Sequence, residues 1–358
     1  MAKKVVTLYI DDTSLRLMVT EGSQIRDWAE TPLKPGLVKN AVILNEALVA
    51  ANIKSLFKIQ RLKTRKILVG ISGLHCLSRS ITLPQLPRTL LSEAVMREAK
   101  RVLPVPSDQL YISWQPIPGP EGKVRVFLMA IPRKVADALF TALHQAGLKP
   151  YLLDIKPLLL AKVVNKATAI IVDVQATEFD IVVLIDGIPE LIRTIAFPSE
   201  TLGSQEKLLV IKDELHRTIQ FYNVNNKEKP ITSSIPIFVS GELVYEPRTY
   251  QAVSDELGYP VSPLSSPLDY PPWLDASRYF INIGLALQGL WSRNGEGPSV
   301  VHLNAIPSRY RAKPPSLAKR LAVPAVLAAI ALIAFMVMRI EGTYGDSALM
   351  LQQMNVLN

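Results

Sequence analysis

The sequence has few of the residues that carry thiol, metal or imidazole chemistry. Among 358 residues there is one cysteine, Cys76, and there are four histidines. A single cysteine excludes an intrachain disulfide and a cysteine-based metal cluster, which fits a reducing compartment. His75 directly precedes Cys76, and neighbours on a strand point to opposite faces, so these two residues do not form a nucleophile–base pair. The histidines show no ligand-type spacing, and we therefore predict no metal site and no catalytic residue of these types.

Signatures of nucleic-acid binding are also absent from the sequence. There is no zinc knuckle, helix-turn-helix signature or aromatic-basic RNA motif, although the formal net charge is +9. We therefore predict no nucleic-acid partner and assign the excess positive charge to contact with an anionic membrane surface. The basic run 61–66 is predicted to be a solvated loop, with a membrane-surface contact as the alternative. No apolar signal-peptide core follows the first four residues.

One long uncharged run lies near the C-terminus, at 321–338, between Arg320 and Arg339. As a helix it would be about 27 Å long, close to the hydrocarbon thickness of a bilayer. The alternative is a buried core helix, which the lack of a polar stripe disfavours. Basic residues are more frequent before the run than after it, so the positive-inside rule predicts a cytoplasmic body and a short extracytoplasmic tail at 339–358.

The rest of the chain has the mixed periodicity of an α/β protein. Each half opens on a predicted strand–turn–strand unit, 5–20 in the first half and 169–185 in the second, which is a weak internal repeat. The order of elements predicts an α/β body with a small α+β insertion. Further strands are predicted at 66–72, 110–116, 124–131, 190–197 and 235–239, and helices at 38–56, 92–102, 134–146, 155–164, 208–223 and 279–291.

Four segments carry a resemblance to a known family. They are Glu98 to Pro106, with its Leu-Pro-Val-Pro ending; Ala146 to Pro150 with Leu153-Asp154-Ile155; Ile171-Val172-Asp173 with Asp180 to Val183; and Ile283 to Leu287. In this order they resemble the actin-like ATPase superfamily and, within it, the PilM family of type IV pilus assembly. The resemblance implies an actin-like (ribonuclease H-like) two-domain fold followed by the transmembrane helix. Domain 1 would be 1–165 with the insertion at about 81–152, and domain 2 would be 166–292.

The segment after these domains resembles the N-terminus of a second family, PilN. Residues 301–307 end in Asn304-Ala305-Ile306-Pro307 and precede Arg309 and Arg311. In PilN a short Asn-Leu-Leu-Pro-type peptide docks on PilM and leads into a membrane anchor. The resemblance implies that 301–311, within a linker at 293–320, docks in its own chain or in a neighbouring copy, whereas the alternative is a plain linker. The implied docking residues are Leu303, Asn304, Ile306 and Pro307.

The actin-like resemblance also implies a nucleotide site, and the sequence departs from the family pattern there. In the first phosphate turn the family has Asp-x-Gly-Ser/Thr-Ser, whereas here Tyr9 replaces the carboxylate and Asp11 replaces the glycine. Two carboxylates, Asp11 and Asp12, would face a triphosphate, and each repulsion is of order 4 kcal/mol at about 4 Å in an intermediate dielectric. The alternative is that Asp11, Asp12 and Asp173 are turn residues with local side-chain hydrogen bonds.

The other two nucleotide-binding turns depart from the pattern as well. The second phosphate turn keeps Asp173 but has Gln175 where glycine is expected, and the adenosine turn has a single glycine, Gly241. We therefore predict weak ATP and Mg²⁺ binding at most, no ATP hydrolysis and no enzyme activity. The residues that would form the degenerate site are Asp11, Asp12, Thr13, Ser14, Asp173, Gln175, Ala176, Thr177, Gly241 and Glu242.

Together these resemblances predict a scaffold of type IV pilus biogenesis in the bacterial inner membrane. They imply PilN-like and PilO-like inner-membrane partners and self-association through 301–311. Two alternatives remain open, a type II secretion platform protein of the GspL kind and an active actin-like ATPase of the FtsA kind.

Overall fold

The computed structural model describes residues 3–199, 202–245, 251, 254–255, 258–291, 299–311 and 326–337. The chain divides into two compact units, one at 1–310 and the other at 311–358. The strands and helices below belong to the first unit.

The strands of the first unit, in chain order, are β1 (Lys4–Ile10), β2 (Ser14–Glu21), β3 (Gln24–Pro32), β4 (Val38–Lys39), β5 (Val42–Ile43), β6 (Lys66–Ile71), β7 (Leu77–Pro84), β8 (Leu110–Ile117), β9 (Lys123–Pro132), β10 (Lys149–Ile155), β11 (Ala169–Val174), β12 (Glu178–Ile185), β13 (Ile188–Ala196), β14 (Ile237–Gly241) and β15 (Val261–Pro263). The helices that the structure describes in this unit are α1 (Glu46–Ile59), α2 (Arg88–Val102), α3 (Arg133–Gln145), α4 (Lys156–Val163), α5 (Ser204–Asn225) and α6 (Phe280–Trp291).

Two five-stranded sheets repeat one architecture. The first has the order β10-β6-β1-β2-β3 and the second has the order β13-β12-β11-β14-β15. In each sheet a three-stranded antiparallel meander is joined to parallel strands, β6 and β10 in the first and β14 and β15 in the second. Strands β11 and β12 are buried along their whole length, which explains their nearly continuous apolar sequence.

Helices α4 and α6 connect the two sheets through their packing. Residues of both helices share one apolar cluster with the second sheet and another with the first. The two helices approach closely because Gly284 of α6 has no side chain: a Cβ there would collide with the carbonyl oxygen of Leu159 in α4. Helix α6 contacts β1 and β6 of the first sheet, and Lys156, the first residue of α4, lies 3.5 Å from Asp173 of β11.

A smaller sheet is inserted between β6 and α3. Strands β7, β9 and β8 form an antiparallel sheet in that order, and α2 covers it. Val95 and Ala99 of α2 pack on Val126 and Leu128 of β9 in an apolar cluster of their own. A helix on an antiparallel sheet is the α+β type predicted for the insertion, whereas the exact domain boundaries stay a prediction.

The predicted helix 38–56 begins too early. Residues 38–43 form the short hairpin β4–β5, in which Asn40 and Ala41 have φ angles of 49° and 61°. The Asp12 carboxylate accepts hydrogen bonds from both backbone amides, at 2.6 Å and 2.8 Å. The contact with Asp12, about 28 residues earlier in the sequence, therefore favours a hairpin at 38–43 over the helix that the local pattern predicts. The helix itself begins at Glu46, where the Asn45 side chain caps it by accepting a hydrogen bond from the Leu48 amide.

The prediction of a transmembrane helix at 321–338 is wrong. Within the part of the chain that the structure describes, no helix combines the length and the apolar character needed to cross a bilayer. The described helical residues of the second unit are 326–337, which at 1.5 Å per residue span about 18 Å, against roughly 30 Å of hydrocarbon. Residues 321–325 and 338, like the tail 339–358, lie outside the described residues. The fold class is therefore corrected to an α/β body without the membrane helix, and the predicted location as a single-pass inner-membrane protein is corrected with it.

Candidate functional site

Residues 299–310, here called the strap, pack against the rest of the first unit; 299–307 have no regular secondary structure, and Ser308–Tyr310 form a short 3-10 helix. Four of its side chains are part of the largest apolar cluster of the molecule, which also contains residues of β10 and α3. Val301 is 0% exposed and Ile306 is 2% exposed. Burial of this degree contributes about 1.5–3 kcal/mol for each large aliphatic side chain. The strap is therefore part of the apolar core. Its buried apolar residues are Val301, Leu303, Ala305, Ile306 and Pro307.

Asn304 pairs the strap with β10, an edge strand of the first sheet. Its side-chain oxygen accepts hydrogen bonds from the backbone amides of Leu153 and Ile306, at 3.2 Å and 3.1 Å. Its side-chain amide donates to the carbonyl oxygen of Tyr151 at 2.9 Å. The backbone amide of Ala305 donates to the Leu153 carbonyl oxygen at 2.8 Å. An edge strand presents unpaired backbone groups, and the strap pairs several of those on β10.

Two glutamine side chains of the body bind the backbone of the strap. Gln115 of β8 donates to the carbonyl oxygen of Val300 at 2.9 Å and accepts from the amide of His302 at 2.8 Å. Gln288 of α6 donates to the carbonyl oxygen of Leu303 at 2.6 Å. Contacts of this kind depend on the position of the backbone, so they fix the register of the strap against the body.

The end of the strap is held by aromatic residues. The ring of Tyr310 stacks on Phe140 of α3 with 4.1 Å between the ring centroids and 8° between the ring planes. The hydroxyls of Tyr310 and Tyr111 both donate to Asp137, at 2.7 Å and 2.9 Å. Arg309 donates to the Tyr111 hydroxyl at 3.0 Å. The sequence interpretation missed this anchor and both glutamines. An aromatic residue three positions after Pro307 was the available signal for Tyr310, whereas no local pattern indicates Gln115 or Gln288.

The predicted nucleotide residues lie around a different feature, a cleft of about 720 Å³. Of the ten residues predicted for this site, six line the cleft and come from both sheets. They are Thr13, Ser14, Gln175, Ala176, Gly241 and Glu242. The remaining lining residues are Arg16, Glu30, Pro32, Tyr245, Asp275, Ser277 and Arg278.

The Asp11 carboxylate occupies the hydrogen-bond donors of the first turn. It accepts from the backbone amides of Thr13 and Ser14, at 2.8 Å and 2.7 Å, and from their hydroxyls at 2.8 Å and 3.3 Å. The guanidinium of Arg16 lies 3.3 Å from the same carboxylate. Backbone amides and hydroxyls of a turn are the groups that bind phosphate oxygens. In this chain they already bind an anion that belongs to the turn itself.

The second and third turns are likewise filled by their own side chains. Asp173 accepts from the Ser240 hydroxyl at 2.6 Å and from the side-chain amide of Gln175 at 3.0 Å. Gly241 has a φ angle of 70°, and a Cβ at this position would collide with the carbonyl oxygen of Val174. Thr177 contributes its carbonyl oxygen to the backbone amide of Phe197. Asp12 does not line the cleft and accepts hydrogen bonds from the β4–β5 hairpin.

A buried lysine that sequence reasoning missed lies beside these turns. The Lys156 ammonium nitrogen is 2.7 Å from Glu178 Oε1, 2.7 Å from Asp180 Oδ2 and 3.5 Å from Asp173 Oδ2. Burial alone lowers the pKa of Lys156, but the carboxylates of Asp180 and Glu178 outweigh it and raise the pKa well above its ordinary value. Burial also raises the pKa of Asp180, and the attraction of Lys156 acts against that shift. We call Lys156, Asp173, Glu178 and Asp180 the lysine cluster.

Comparison with known proteins places this geometry in a family. The chain matches the family model for the type IV pilus assembly protein PilM over residues 14–194. A solved structure described as the PilM-PilN type IV pilus biogenesis complex is 21% identical, with a TM-score of 0.68, and covers 81% of this chain and 99% of that one. No curated protein shows significant sequence similarity to the chain.

A second solved structure is the cytoplasmic domain of EpsL, an inner-membrane component of the type II secretion system of Vibrio cholerae. It is 10% identical, with a TM-score of 0.50, and covers 86% of this chain and 100% of that one. At these identities both structures show the fold alone, and they support the actin-like α/β part of the predicted fold class. The predicted resemblance of 301–311 to PilN stays a prediction. The family model spans about half of the chain, so the predicted resemblance to PilM is confirmed and the chain belongs to the type IV pilus assembly protein PilM family.

Proposed function

We propose that this chain is a docking scaffold of type IV pilus assembly that holds a PilN-like segment, the strap, in its own groove. The observation that carries the proposal is the position of Asn304, whose side chain bonds to both Tyr151 and Leu153 on the edge strand β10. The solved relative with the higher TM-score is described as a complex of PilM with PilN. In this chain the segment that resembles PilN follows the body in the same polypeptide, and its apolar side chains are buried against that body.

A docked strap is expected to block the groove against other peptides. A free PilN-like peptide would compete with the strap for the same groove, and the covalent connection gives the strap a high effective concentration. The full chain is then expected to bind an added peptide only weakly. A variant with a weakened strap is expected to bind it well. Docking into a second copy, the basis of the predicted self-association, would require the strap to leave its own groove.

The experiment uses the full chain and a labelled peptide with the sequence of residues 299–311. The variant Asn304→Ala/Tyr310→Ala is expected to bind the peptide with micromolar affinity, and the unaltered chain is expected to show no binding in the same range. A peptide carrying Ala at the position of Asn304 is the negative control. If the double variant remains folded by circular dichroism and still binds no peptide, the strap is only a linker that happens to pack, and the docking proposal fails. Sedimentation of the same samples tests self-association.

We further infer that the cleft does not perform nucleotide chemistry. The support is that Asp11 already occupies the amide and hydroxyl donors of the first turn, and that its carboxylate would have to be displaced before a phosphate could bind. An actin-like ATPase of the FtsA kind needs those donors free. The likeness to the EpsL domain concerns the fold alone, so it gives the type II secretion alternative no separate weight.

Thermal unfolding with and without Mg-ATP tests this second part. A ligand that binds the native state at concentrations well above its Kd raises the Tm. We expect the same Tm in the presence of millimolar Mg-ATP, Mg-ADP or neither. A clear rise in Tm with Mg-ATP would contradict the inference and favour the ATPase alternative.

A further inference from the structure

The lysine cluster places one buried ammonium among three buried carboxylates. Three carboxylates from two adjacent strands converge on one nitrogen, and the four side chains are at most 8% exposed. Carboxylate oxygens are the ligands that Mg²⁺, Ca²⁺ and Mn²⁺ prefer. Buried carboxylates at this spacing need a compensating positive charge, because their mutual repulsion and desolvation are both unfavourable.

The oxygens of these carboxylates are held in place by hydroxyl donors. Ser72 donates to Glu178 at 2.7 Å, Ser240 donates to Asp173 at 2.6 Å, and Thr194 donates to Asp180. Ser72 directly follows β6 of the first sheet, whereas Glu178 belongs to β12 of the second. Lys156 is the first residue of α4, the helix that packs between the sheets. The cluster therefore joins the carboxyl end of the first sheet to the second sheet.

We propose that the Lys156 ammonium is a built-in substitute for a bound divalent cation, and that it holds the two sheets together without any ligand. The inference rests on the proposed absence of nucleotide chemistry and extends it, because it names the group that supplies the positive charge. A bound metal ion can dissociate, whereas the lysine is covalently attached. The positive charge between the sheets then does not depend on a bound ligand, which suits a protein that holds a partner segment in one fixed groove.

Removal of the ammonium should leave an empty site for a divalent cation. The test compares Lys156→Ala with Lys162→Ala in the full chain, with Mn²⁺ as the probe. Lys162 is a matched control because it is also fully buried and on α4, but it binds a single carboxylate, Asp154, at 3.0 Å. Both variants are expected to have a lower Tm than the unaltered chain. Millimolar Mn²⁺ should restore most of the loss in Lys156→Ala and none in Lys162→Ala, and calorimetry should detect one Mn²⁺ bound by Lys156→Ala alone.

Several results would overturn the proposal. One is a folded Lys156→Ala that binds no Mn²⁺, and another is an unaltered chain that responds to Mn²⁺ as strongly as the variant does. If Lys156→Ala does not fold when expressed, refolding from denaturant with and without Mn²⁺ replaces the thermal test. Recovery only with Mn²⁺ supports the proposal, and failure in both conditions contradicts it. The double variant Lys156→Met/Asp180→Asn lacks one ligand and should lose the response to Mn²⁺.

These outcomes can be separated from failure of the proposed function. Stabilisation of the unaltered chain by Mg-ATP would contradict the inference about the cleft whatever Mn²⁺ does to Lys156→Ala. Conversely, Mn²⁺ could fail to restore the Tm of Lys156→Ala while Mg-ATP leaves the Tm of the unaltered chain unchanged. That result would contradict the proposal for Lys156 and leave the docking proposal standing.

Discussion

The side-chain amide of Gln288 donates a hydrogen bond of 2.6 Å to the main-chain carbonyl oxygen of Leu303, and both residues are buried. Gln288 belongs to α6, the helix that packs against both sheets, and Leu303 belongs to the strap. A buried amide without a hydrogen-bond partner is costly, so strap and helix stabilise each other at this point. The strap is thereby tied to the same helix that organises the centre of the body.

Replacing Asn304 by alanine is expected to release the strap. The change leaves the Leu153 amide and the Tyr151 carbonyl oxygen without their partner on the strap. The expected cost is about 2 kcal/mol, mostly from the partly buried Leu153 amide, because water can reach the Tyr151 carbonyl oxygen. Trypsin cleavage after Arg309 under native conditions measures the opening, and its rate should rise at least about tenfold because cleavage follows the open population.

Ser308→Ala is the matched control for that experiment, because Ser308 lies in the same strap with an exposed side chain. Its cleavage rate is expected to equal that of the unaltered chain. Equal rates for Asn304→Ala and Ser308→Ala would mean that Asn304 does not hold the strap.

Tyr310 is expected to stabilise the docked strap through both its ring and its hydroxyl. Tyr310→Phe keeps the stacking on Phe140 and loses the hydrogen bond to Asp137, with an expected cost of about 1 kcal/mol. Tyr310→Ala also loses the ring contact, which adds at least about 1 kcal/mol. In the same proteolysis assay, Tyr310→Ala should be cleaved fastest, and the cleavage rate of Tyr310→Phe should lie between those of Tyr310→Ala and the unaltered chain. A Tyr310→Phe variant as fast as Tyr310→Ala would show that the hydroxyl alone anchors the strap.

The strand pairs that open each half were predictable because their information is local. Alternating apolar residues and short turns mark β1–β2 and β11–β12 directly in the sequence. Strand β10 was missed, since it contains Pro150 and forms a sheet edge whose outer partner, the strap, lies about 150 residues away in sequence. Its formation depends on those distant contacts more than on its own pattern.

The candidate site was predictable only in part, for a related reason. The family patterns pointed to the turns at 11–14 and 175–177, and Asp11 indeed lies at the first of them. The sequence suggested that the Asp11 carboxylate would repel a phosphate. In the structure it accepts hydrogen bonds from the amides of its own turn, as the alternative interpretation predicts. The lysine cluster joins Lys156 to residues on two other elements, β11 and β12, at unequal spacings in the sequence, so no sequence motif indicates it.

His302 should make the strap sensitive to pH. Burial lowers the pKa of His302 below its ordinary value of 6.5, and the positive charge of Lys162 acts in the same direction. The docked strap therefore binds fewer protons than the free strap. Docking is favoured above the free-state pKa, and that contribution is lost as the pH falls below about 6.5.

The measurement compares the Tm of the unaltered chain and of His302→Gln between pH 7.5 and pH 5.5, a window on either side of about 6.5. Glutamine does not titrate there, so the difference between the two proteins isolates the histidine. The unaltered chain should lose stability relative to His302→Gln as the solution becomes more acid. A difference that stays constant with pH would show that His302 does not titrate on undocking.

Alanine substitutions at Gly241 and Gly122 distinguish the cost of backbone strain from the cost of a steric collision. Both have a φ angle of 70°, but a Cβ at Gly122 meets nothing within 4 Å, whereas at Gly241 it collides with the carbonyl oxygen of Val174. Gly122→Ala is expected to cost about 1–2 kcal/mol, the usual penalty for a side chain in the left-handed region. Gly241→Ala should cost at least about 3 kcal/mol, because β11 and the cleft wall have to move apart as well. Urea unfolding of both variants measures the two losses, and equal losses would mean that the backbone at Gly241 relaxes enough to accommodate a methyl group.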